Sequence, residues 1–276
     1  MYLAFNYSPS EHFYNSTLNN YLSKGAELYS DQEKNVKRCL SEYISSEGII
    51  NGSELRENWF STEQTDVFLS HSHKDINKVK AFAGWLYETF GLTSFIDSCA
   101  WGYCDELLNR IDKKYCYNKN KGTYDYNLRN YTTSHVHMML STAITETLSR
   151  SECAIFFNTP NSIMLKDELS LIEKKNTKKT TSPWILYELT MISRLKRIHP
   201  HRTEAYIAHK GATKRAMPSN IHCPPIYYDV AKMLDGIPII NDCMLSLWEE
   251  THNQDKHPLD ELYRIVLNSK KNKKDD

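Results

Sequence analysis

Residues Thr65 to Lys74, TDVFLSHSHK, contain the pattern that decides the expected fold. The stretch opens on polar residues, continues as a short apolar run at 67–69, and ends in small and hydrogen-bonding side chains. Short apolar runs rich in β-branched and aromatic residues are typical of strands buried within a parallel sheet. Ligands of such sheets bind beyond the carboxyl ends of the strands, so Ser70 to Asp75 are expected to lie at a site.

The composition excludes several classes of protein. The chain has 276 residues, and its 34 Lys and Arg are balanced by 34 Asp and Glu. This balance argues against a protein that holds nucleic acid through phosphate contacts, because such proteins carry a basic excess. No apolar run approaches the roughly 20 residues of a membrane span, and the first residues do not resemble a secretory signal. The sequence also lacks a glycine-rich phosphate loop.

The seven cysteines indicate a reducing compartment. Their number is odd and their spacing irregular, which argues against a disulfide framework and predicts reduced thiols in a cytoplasmic protein. The positions are Cys39, Cys99, Cys104, Cys116, Cys153, Cys223 and Cys243.

Three sections are expected along the chain. Residues 1–60 show helical spacing and are predicted to form a small helical N-terminal extension. Residues 61–250 are predicted to form the main domain, and residues 251–276 a closing helix with a charged tail. Within the main domain, 117–131 and 166–181 lack an apolar pattern and are predicted to be surface insertions.

Strands and helices are predicted to alternate after the opening strand. The expected order is a helix at 75–90 ended by Gly91, a strand at 92–96, a loop at 98–104 and a helix at 105–115. Further elements are a helix at 134–148, a strand at 153–157, a helix at 182–197 and a short strand at 205–208. Residues 225–228 and 237–240 are candidates for a further strand and a connecting element. This alternation predicts an α/β fold: a flavodoxin-like parallel sheet with helices on both faces.

Trp184 and Glu188 form the most informative pair of candidate site residues. They are four positions apart on a predicted helix and therefore share one of its faces. An indole can stack on a flat cationic ring. A neighbouring carboxylate can accept hydrogen bonds from sugar hydroxyls and stabilise the positive charge that develops when a glycosidic bond breaks.

Four segments together resemble a Toll/interleukin-1 receptor (TIR) domain of the bacterial kind found in anti-phage defence systems such as Thoeris. The segments are TDVFLSHSHKD, FIDSCAWGY, CAIFFNTPNS and SPWILYEL. The resemblance spans about Thr65 to Ile240, whereas residues 1–60 and the two insertions fall outside the common pattern. It implies the TIR fold for the main domain.

The resemblance also implies an activity and its residues. Enzymatic TIR domains cleave the bond between nicotinamide and ribose in NAD+, and the matching catalytic residue here is Glu188. Ser72 and His73 match nucleotide-contacting positions, although plant relatives carry an Arg-Gly pair there. Trp101 matches the mobile loop that covers the substrate, and Trp184 is the expected stacking residue.

The expected function is therefore that of a cytoplasmic NAD+ hydrolase or cyclase that uses no metal. Its ADP-ribose-derived product would activate a separate effector in phage defence, and the enzyme is expected to form a homo-oligomer without nucleic-acid or membrane partners. A non-catalytic TIR adaptor that acts by self-association is the alternative. A nucleoside deoxyribosyltransferase-like enzyme on a related fold is a third hypothesis.

Several candidate residues have structural interpretations as well. Ser72 can cap a helix, Trp184 can be a core residue, and Trp101 can lie on a self-association surface. Asp97 is expected to hold its loop by accepting backbone amides rather than to catalyse.

Three H-x-H pairs, at 71/73, 135/137 and 199/201, allow a zinc interpretation. That interpretation is disfavoured because no cysteines lie at a tight finger spacing.

Overall fold

Five parallel strands form the central sheet of this protein. A computed structural model describes residues 1–43, 65–164, 178–200 and 228–272. The predicted strand at 205–208 and most of the predicted insertion at 166–181 lie outside these ranges. The strands are β1 (Leu3–Tyr7), β2 (Val67–Ser70), β3 (Ser94–Ile96), β4 (Cys153–Phe157) and β5 (Ile239–Ile240).

The helices follow the strands in chain order, and together these elements confirm the predicted α/β class. They are α1 (Glu11–Ser16), α2 (Leu22–Tyr43), α3 (Ile76–Phe90), α4 (Ser98–Ile111), α5 (Tyr126–Arg150), α6 (Pro183–Arg194), α7 (Ala231–Asp235), α8 (Asp242–Thr251) and α9 (Pro258–Asn272). None of the helices within the described ranges combines the length and apolar character needed to cross a membrane.

The order of the strands creates a crevice at one edge of the sheet. The order is β3-β2-β4-β1-β5, and each described pairing is parallel. The chain leaves β2 toward β3 on one side and leaves β4 toward β5 on the other. The carboxyl ends of β2 and β4 therefore flank a topological switch point, where open α/β sheets bind their ligands. This arrangement is compatible with a flavodoxin-like fold.

The prediction that residues 1–60 form a purely helical extension is wrong for their first part. Leu3–Tyr7 is a strand that lies between β4 and β5, in register with Cys153–Phe157. All five residues of this strand are buried. The pairing joins segments about 150 residues apart, so no local pattern in the sequence could reveal it.

Two apolar layers cover the faces of the sheet, and the strand side chains alternate between them. Phe5, Leu69 and Ile155 face the layer that contains residues of α2, α3, α8 and α9. Ala4, Phe68 and Phe156 face the layer that contains residues of α4, α5, α6 and α7. Period-two alternation with both faces buried is the pattern expected of a parallel sheet covered on both sides.

Helix α2 is an integral part of this core. The backbones of α2 and α3 approach each other so closely that a Cβ atom added at Gly25 would lie only 1.6 Å from the carbonyl oxygen of Lys80. Its Gln32 side chain also reaches the outer edge of β3, where Oε1 accepts a 3.1 Å hydrogen bond from the Ile96 amide. A covered edge of this kind prevents pairing with other chains.

One further local prediction is wrong, and the two expected surface insertions contain regular structure where the structure describes them. The expected loop at 98–104 is the beginning of α4, because Cys99 is buried against α2 and donates weakly to the Tyr29 carbonyl. The expected insertion at 117–131 contains a two-stranded hairpin, Tyr117–Asn118 with Thr123–Tyr124, and the first turns of α5. Lys179–Thr180, at the end of the second expected insertion, pairs with Tyr228–Asp229.

The C-terminal helices complete the first apolar layer. The Trp248 ring of α8 stacks on Phe90 with centroids 3.9 Å apart, and its Nε1 donates to the Pro258 carbonyl at 2.9 Å. The predicted closing helix therefore exists, and it packs on the same core as the main domain. The capping prediction for α3 is also confirmed: Gly91 ends the helix with a φ of 68°.

Candidate active site at the carboxyl edge of the sheet

Ser70 and Glu188 form the centre of the candidate site. Ser70 ends β2 and lies two residues beyond Phe68, so its side chain faces the layer that contains α6. Helix α6 begins at Pro183, and Ser182 caps it by accepting the Ile185 amide, as the sequence predicts. Ser70 Oγ donates to Glu188 Oε2 at 2.5 Å.

Asp97 and His71 form a second buried pair beside the first. Asp97 Oδ1 lies 2.6 Å from His71 Nδ1, and the two side chains are 2% and 0% exposed. Asp97 Oδ2 also accepts a 3.4 Å hydrogen bond from the His71 backbone amide. Asp97 therefore accepts a backbone amide as expected, but that amide belongs to the loop after β2 and not to the segment that follows Asp97 itself.

Burial changes the ionisation of Glu188. The residue has no exposed surface, so desolvation raises the pKa of its carboxyl group well above the usual value. The nearby charge of Asp97 raises this pKa further, and the Ser70 hydrogen bond partly opposes both effects. Glu188 Oε1 makes no hydrogen bond within the described part of the chain. Burial therefore favours the neutral acid form of Glu188 in this conformation.

A third polar group stabilises the loops around the crevice. Thr159 Oγ1 and Asn161 Nδ2 donate to the two oxygens of Asp75 at 2.6 and 2.8 Å. Asp75 precedes α3, and Thr159 and Asn161 lie on the loop after β4. These contacts connect the two loops that flank the switch point and fix the shape of the carboxyl edge.

The predicted nucleotide-contacting residues lie nearer to the surface than Glu188. Ser72 is half-buried, makes no capping hydrogen bond with its side chain, and accepts the Asp75 amide through its carbonyl. His73 is exposed and begins a short 3₁₀ helix. Both residues follow β2 directly, as the sequence predicts, on the same loop as His71.

Both predicted tryptophans lie on helices, and the structure agrees with the core interpretation of Trp184. Trp184 is half-buried against the second apolar layer, and its ring meets His137 edge to face with centroids 5.3 Å apart. Trp101 lies in the first turns of α4 rather than in a loop. The structure thus brings Glu188 together with Ser70 and Asp97.

Ser70 and His71 belong to the segment that the sequence places at the site, but neither was predicted to have a role of its own there. Ser70 could have been found, because it shares a strand face with Phe68 and therefore points to the helix that carries Glu188. The approach of His71 to Asp97 depends on the adjacency of β2 and β3, which a single sequence does not reveal.

Neither the histidine pairs nor the acids form a recognisable metal site in the described ranges, where no three His, Cys, Asp or Glu side chains share a common centre. His71 is buried against Asp97 while His73 is exposed.

A cavity of about 350 Å³ lies away from the candidate site, before the amino end of β1, and its walls include Tyr2, His199 and Tyr263.

The fold and site define an α/β protein with an acidic cluster buried at the carboxyl edge of a parallel sheet. Comparisons with protein-family models, with curated proteins and with solved structures found no match.

Proposed function

We propose that the protein cleaves the nicotinamide–ribose bond of NAD+, with Glu188 as the catalytic residue. The observation that carries this proposal is the place of Glu188, at the carboxyl edge of the sheet beside the switch point and bonded to Ser70. The resemblance of the surrounding segments to TIR domains supports the same assignment. In the proposal, Ser72 and His73 contact the nucleotide, Trp184 packs near the nicotinamide, and the segment around Trp101 covers the substrate.

The chemistry requires a carboxylate near the ribose. As nicotinamide departs, positive charge develops on the ribosyl carbon and its ring oxygen, and a nearby carboxylate stabilises that charge. The same carboxylate can hold the ribose hydroxyls, because an ionised glutamate accepts hydrogen bonds at both oxygens. Glu188 Oε2 already has a donor in Ser70, and Oε1 is the oxygen assigned to the substrate.

Two changes must accompany substrate binding in this proposal. The first is access, since Glu188 has no exposed surface in the described conformation. The side chains that cover the carboxyl group must give way to the substrate. The second is ionisation, because burial raises the pKa of the Glu188 carboxyl group and so opposes the carboxylate form that the reaction needs.

The proposed biological role follows from the reaction. Water, or a nucleophile within or outside the substrate, captures the ribosyl carbon and gives ADP-ribose, a cyclic isomer or an adduct. This product activates a separate effector in phage defence. The enzyme acts in the cytoplasm as a homo-oligomer and uses no metal.

Mass spectrometry of NAD+ incubated with the purified protein tests this proposal. Nicotinamide and an ADP-ribose-derived product are expected with the parent protein and not with Glu188→Gln. The mass of the second product separates hydrolysis from cyclisation and from transfer. A parent protein that leaves NAD+ intact, including at high protein concentration and with phage lysate present, contradicts the proposal. Nucleoside cleavage with intact NAD+ would instead favour a deoxyribosyltransferase-like enzyme.

An exposed aromatic surface favours one second candidate, an adaptor that acts by self-association. The hairpin and the first turns of α5 expose several tyrosines, and Tyr126 and Tyr131 are 77% and 65% exposed. Clustered exposed aromatic side chains are enriched at protein–protein interfaces. An oligomer that dissociates on Tyr126→Ser combined with Tyr131→Ser, in a protein that does not consume NAD+, supports the adaptor. A monomeric parent protein rejects it.

A further inference from the structure

We propose that Asp97 is a positioning residue for Glu188, and that the two carboxyl groups share a single proton held between them. The proposal rests on the proposed function for its catalytic meaning, although the sharing of the proton can be measured without any reaction. In the empty site the proton resides on Glu188. When substrate binds, the proton moves to Asp97, and Glu188 becomes the carboxylate that the reaction needs.

The geometry supports a shared proton. Glu188 and Asp97 are 0% and 1% exposed, and they accept hydrogen bonds from two consecutive residues. The Ser70 hydroxyl donates to Glu188 at 2.5 Å, and the His71 amide donates to Asp97 at 3.4 Å, so the two carboxyl groups lie in one buried cluster. Two neighbouring carboxyl groups removed from water cannot both ionise without a large cost, so one of them keeps a proton. Ser70 donates to Glu188 Oε2 and His71 contacts Asp97 Oδ1, which leaves Glu188 Oε1 without a partner in the described ranges.

The surroundings decide which of the two acids holds the proton. Asp97 has the His71 imidazole at 2.6 Å and the His71 amide at 3.4 Å, and both can stabilise a negative charge. Glu188, in contrast, accepts one hydrogen bond from the neutral Ser70 hydroxyl and otherwise lies among the apolar residues of α6. Among the described side chains, the titratable groups around Asp97 on α2, α3 and α4 include Tyr29, Glu33 and Cys99, with Lys80 next to Tyr29 and Cys99.

The proton transfer is balanced within the pair. The O–H bond of Glu188 breaks and an O–H bond forms on Asp97, so the pair keeps one proton and one negative charge throughout. A substrate with a positively charged ring favours this transfer, because it brings positive charge to Glu188 rather than to Asp97. The pair thereby places a buried carboxylate next to the ribose only when the substrate is present.

Isotope-edited infrared spectroscopy of the full-length protein tests the proposal directly. A band from a protonated glutamic acid is expected near pH 7 in the parent protein, and it should be absent in Glu188→Gln. In Asp97→Asn the band should disappear at a pH about 1–3 units lower, because the like charge has been removed. Asp242→Asn is the control, because Asp242 accepts hydrogen bonds from the Tyr7 hydroxyl and the Ser10 amide at the far end of the same carboxyl edge of the sheet. In this variant the glutamic acid band should titrate as it does in the parent protein.

The outcomes separate this inference from the proposed function. The absence of a protonated glutamic acid band near pH 7 in the parent protein overturns the inference, as does a band that titrates identically in Asp97→Asn. The parent measurement decides the question even where Asp97→Asn does not fold. The expected band in a protein that leaves NAD+ intact supports the proton-sharing pair and contradicts only the proposed reaction. In an active enzyme, Asp97→Asn should move the acidic limb of the pH profile of kcat to lower pH and leave KM nearly unchanged.

Discussion

Ser70 donates a 2.5 Å hydrogen bond to Glu188 across 118 positions of sequence. The bond connects the end of β2 to the middle of α6, and its acceptor is a carboxyl group with no exposed surface. Polar groups enclosed in this way are costly unless they are hydrogen-bonded. Loss of this single donor should therefore reduce the stability of the folded protein.

Ser70→Ala is expected to destabilise the protein, because it leaves both oxygens of a buried carboxyl group without a donor. A cost of about 1–3 kcal/mol in the free energy of unfolding is expected, measured by urea denaturation at pH 7. Ser72→Ala is the matched control, since the Ser72 side chain makes no capping hydrogen bond, and it should change stability by less than about 0.5 kcal/mol. Equal losses in the two variants would contradict the assigned bond.

Glu188→Gln is expected to stabilise the protein increasingly as the pH rises. The folded protein raises the pKa of Glu188, so it keeps a proton over a range in which the unfolded chain has lost it. Stability of the parent protein thus falls as the pH rises from about 4.3, the pKa of an unperturbed glutamate, toward the raised pKa. The variant lacks this loss.

Urea unfolding of parent and Glu188→Gln at several pH values measures this difference. The advantage of the variant should be small near pH 4 and should grow by about 1.4 kcal/mol for each pH unit within the window. Glu250→Gln, at an exposed position on α8, should show no comparable pH dependence. An advantage that is constant or decreases with pH would contradict the raised pKa.

Gly25→Ala and Gly84→Ala are expected to destabilise the contact between α2 and α3. A Cβ at Gly84 would lie 2.3 Å from the Tyr21 carbonyl oxygen, and the backbone at Gly25 is still more crowded. Alanine favours a helix over glycine by about 1 kcal/mol, yet the overpacking is expected to cost more, about 1–3 kcal/mol net.

Thermal unfolding of the two variants, compared with Gly236→Ala, tests this contact. A Cβ at Gly236 would have 3.5 Å to its nearest neighbour and an ordinary backbone conformation, so Gly236→Ala should be nearly neutral. Should Gly25→Ala unfold at the temperature of the parent protein, α2 is not part of the core and the predicted separate extension would be restored.

The elements with strong local patterns were predictable from the sequence. The apolar run of β2, the stripe of α3 with Gly91 at its end, and the Ser182–Pro183 start of α6 each depend on neighbouring residues. The structure agrees with all three. Glu188 was likewise placed correctly on a helix that meets the carboxyl edge, because helical periodicity fixes its face.

The features that were missed depend on contacts between distant segments. β1 is a strand because β4 and β5 flank it, and Leu3–Tyr7 alone carries too little pattern to show that. The glycines of α2 and α3 indicate close helix packing only once both helices are known. The pairing of His71 with Asp97 follows from the neighbouring positions of β2 and β3. The burial of Glu188 depends on the whole assembly of the sheet edge.

The most direct test of the central claim is the initial rate of nicotinamide release from NAD+ by the parent protein, Glu188→Gln and the exposed control Glu250→Gln. The account predicts release by the parent and by Glu250→Gln at equal rates, with a loss of about 100-fold or more in Glu188→Gln, the scale seen when a group that stabilises transition-state charge is removed. Release by Glu188→Gln at the rate of the parent protein would contradict the account.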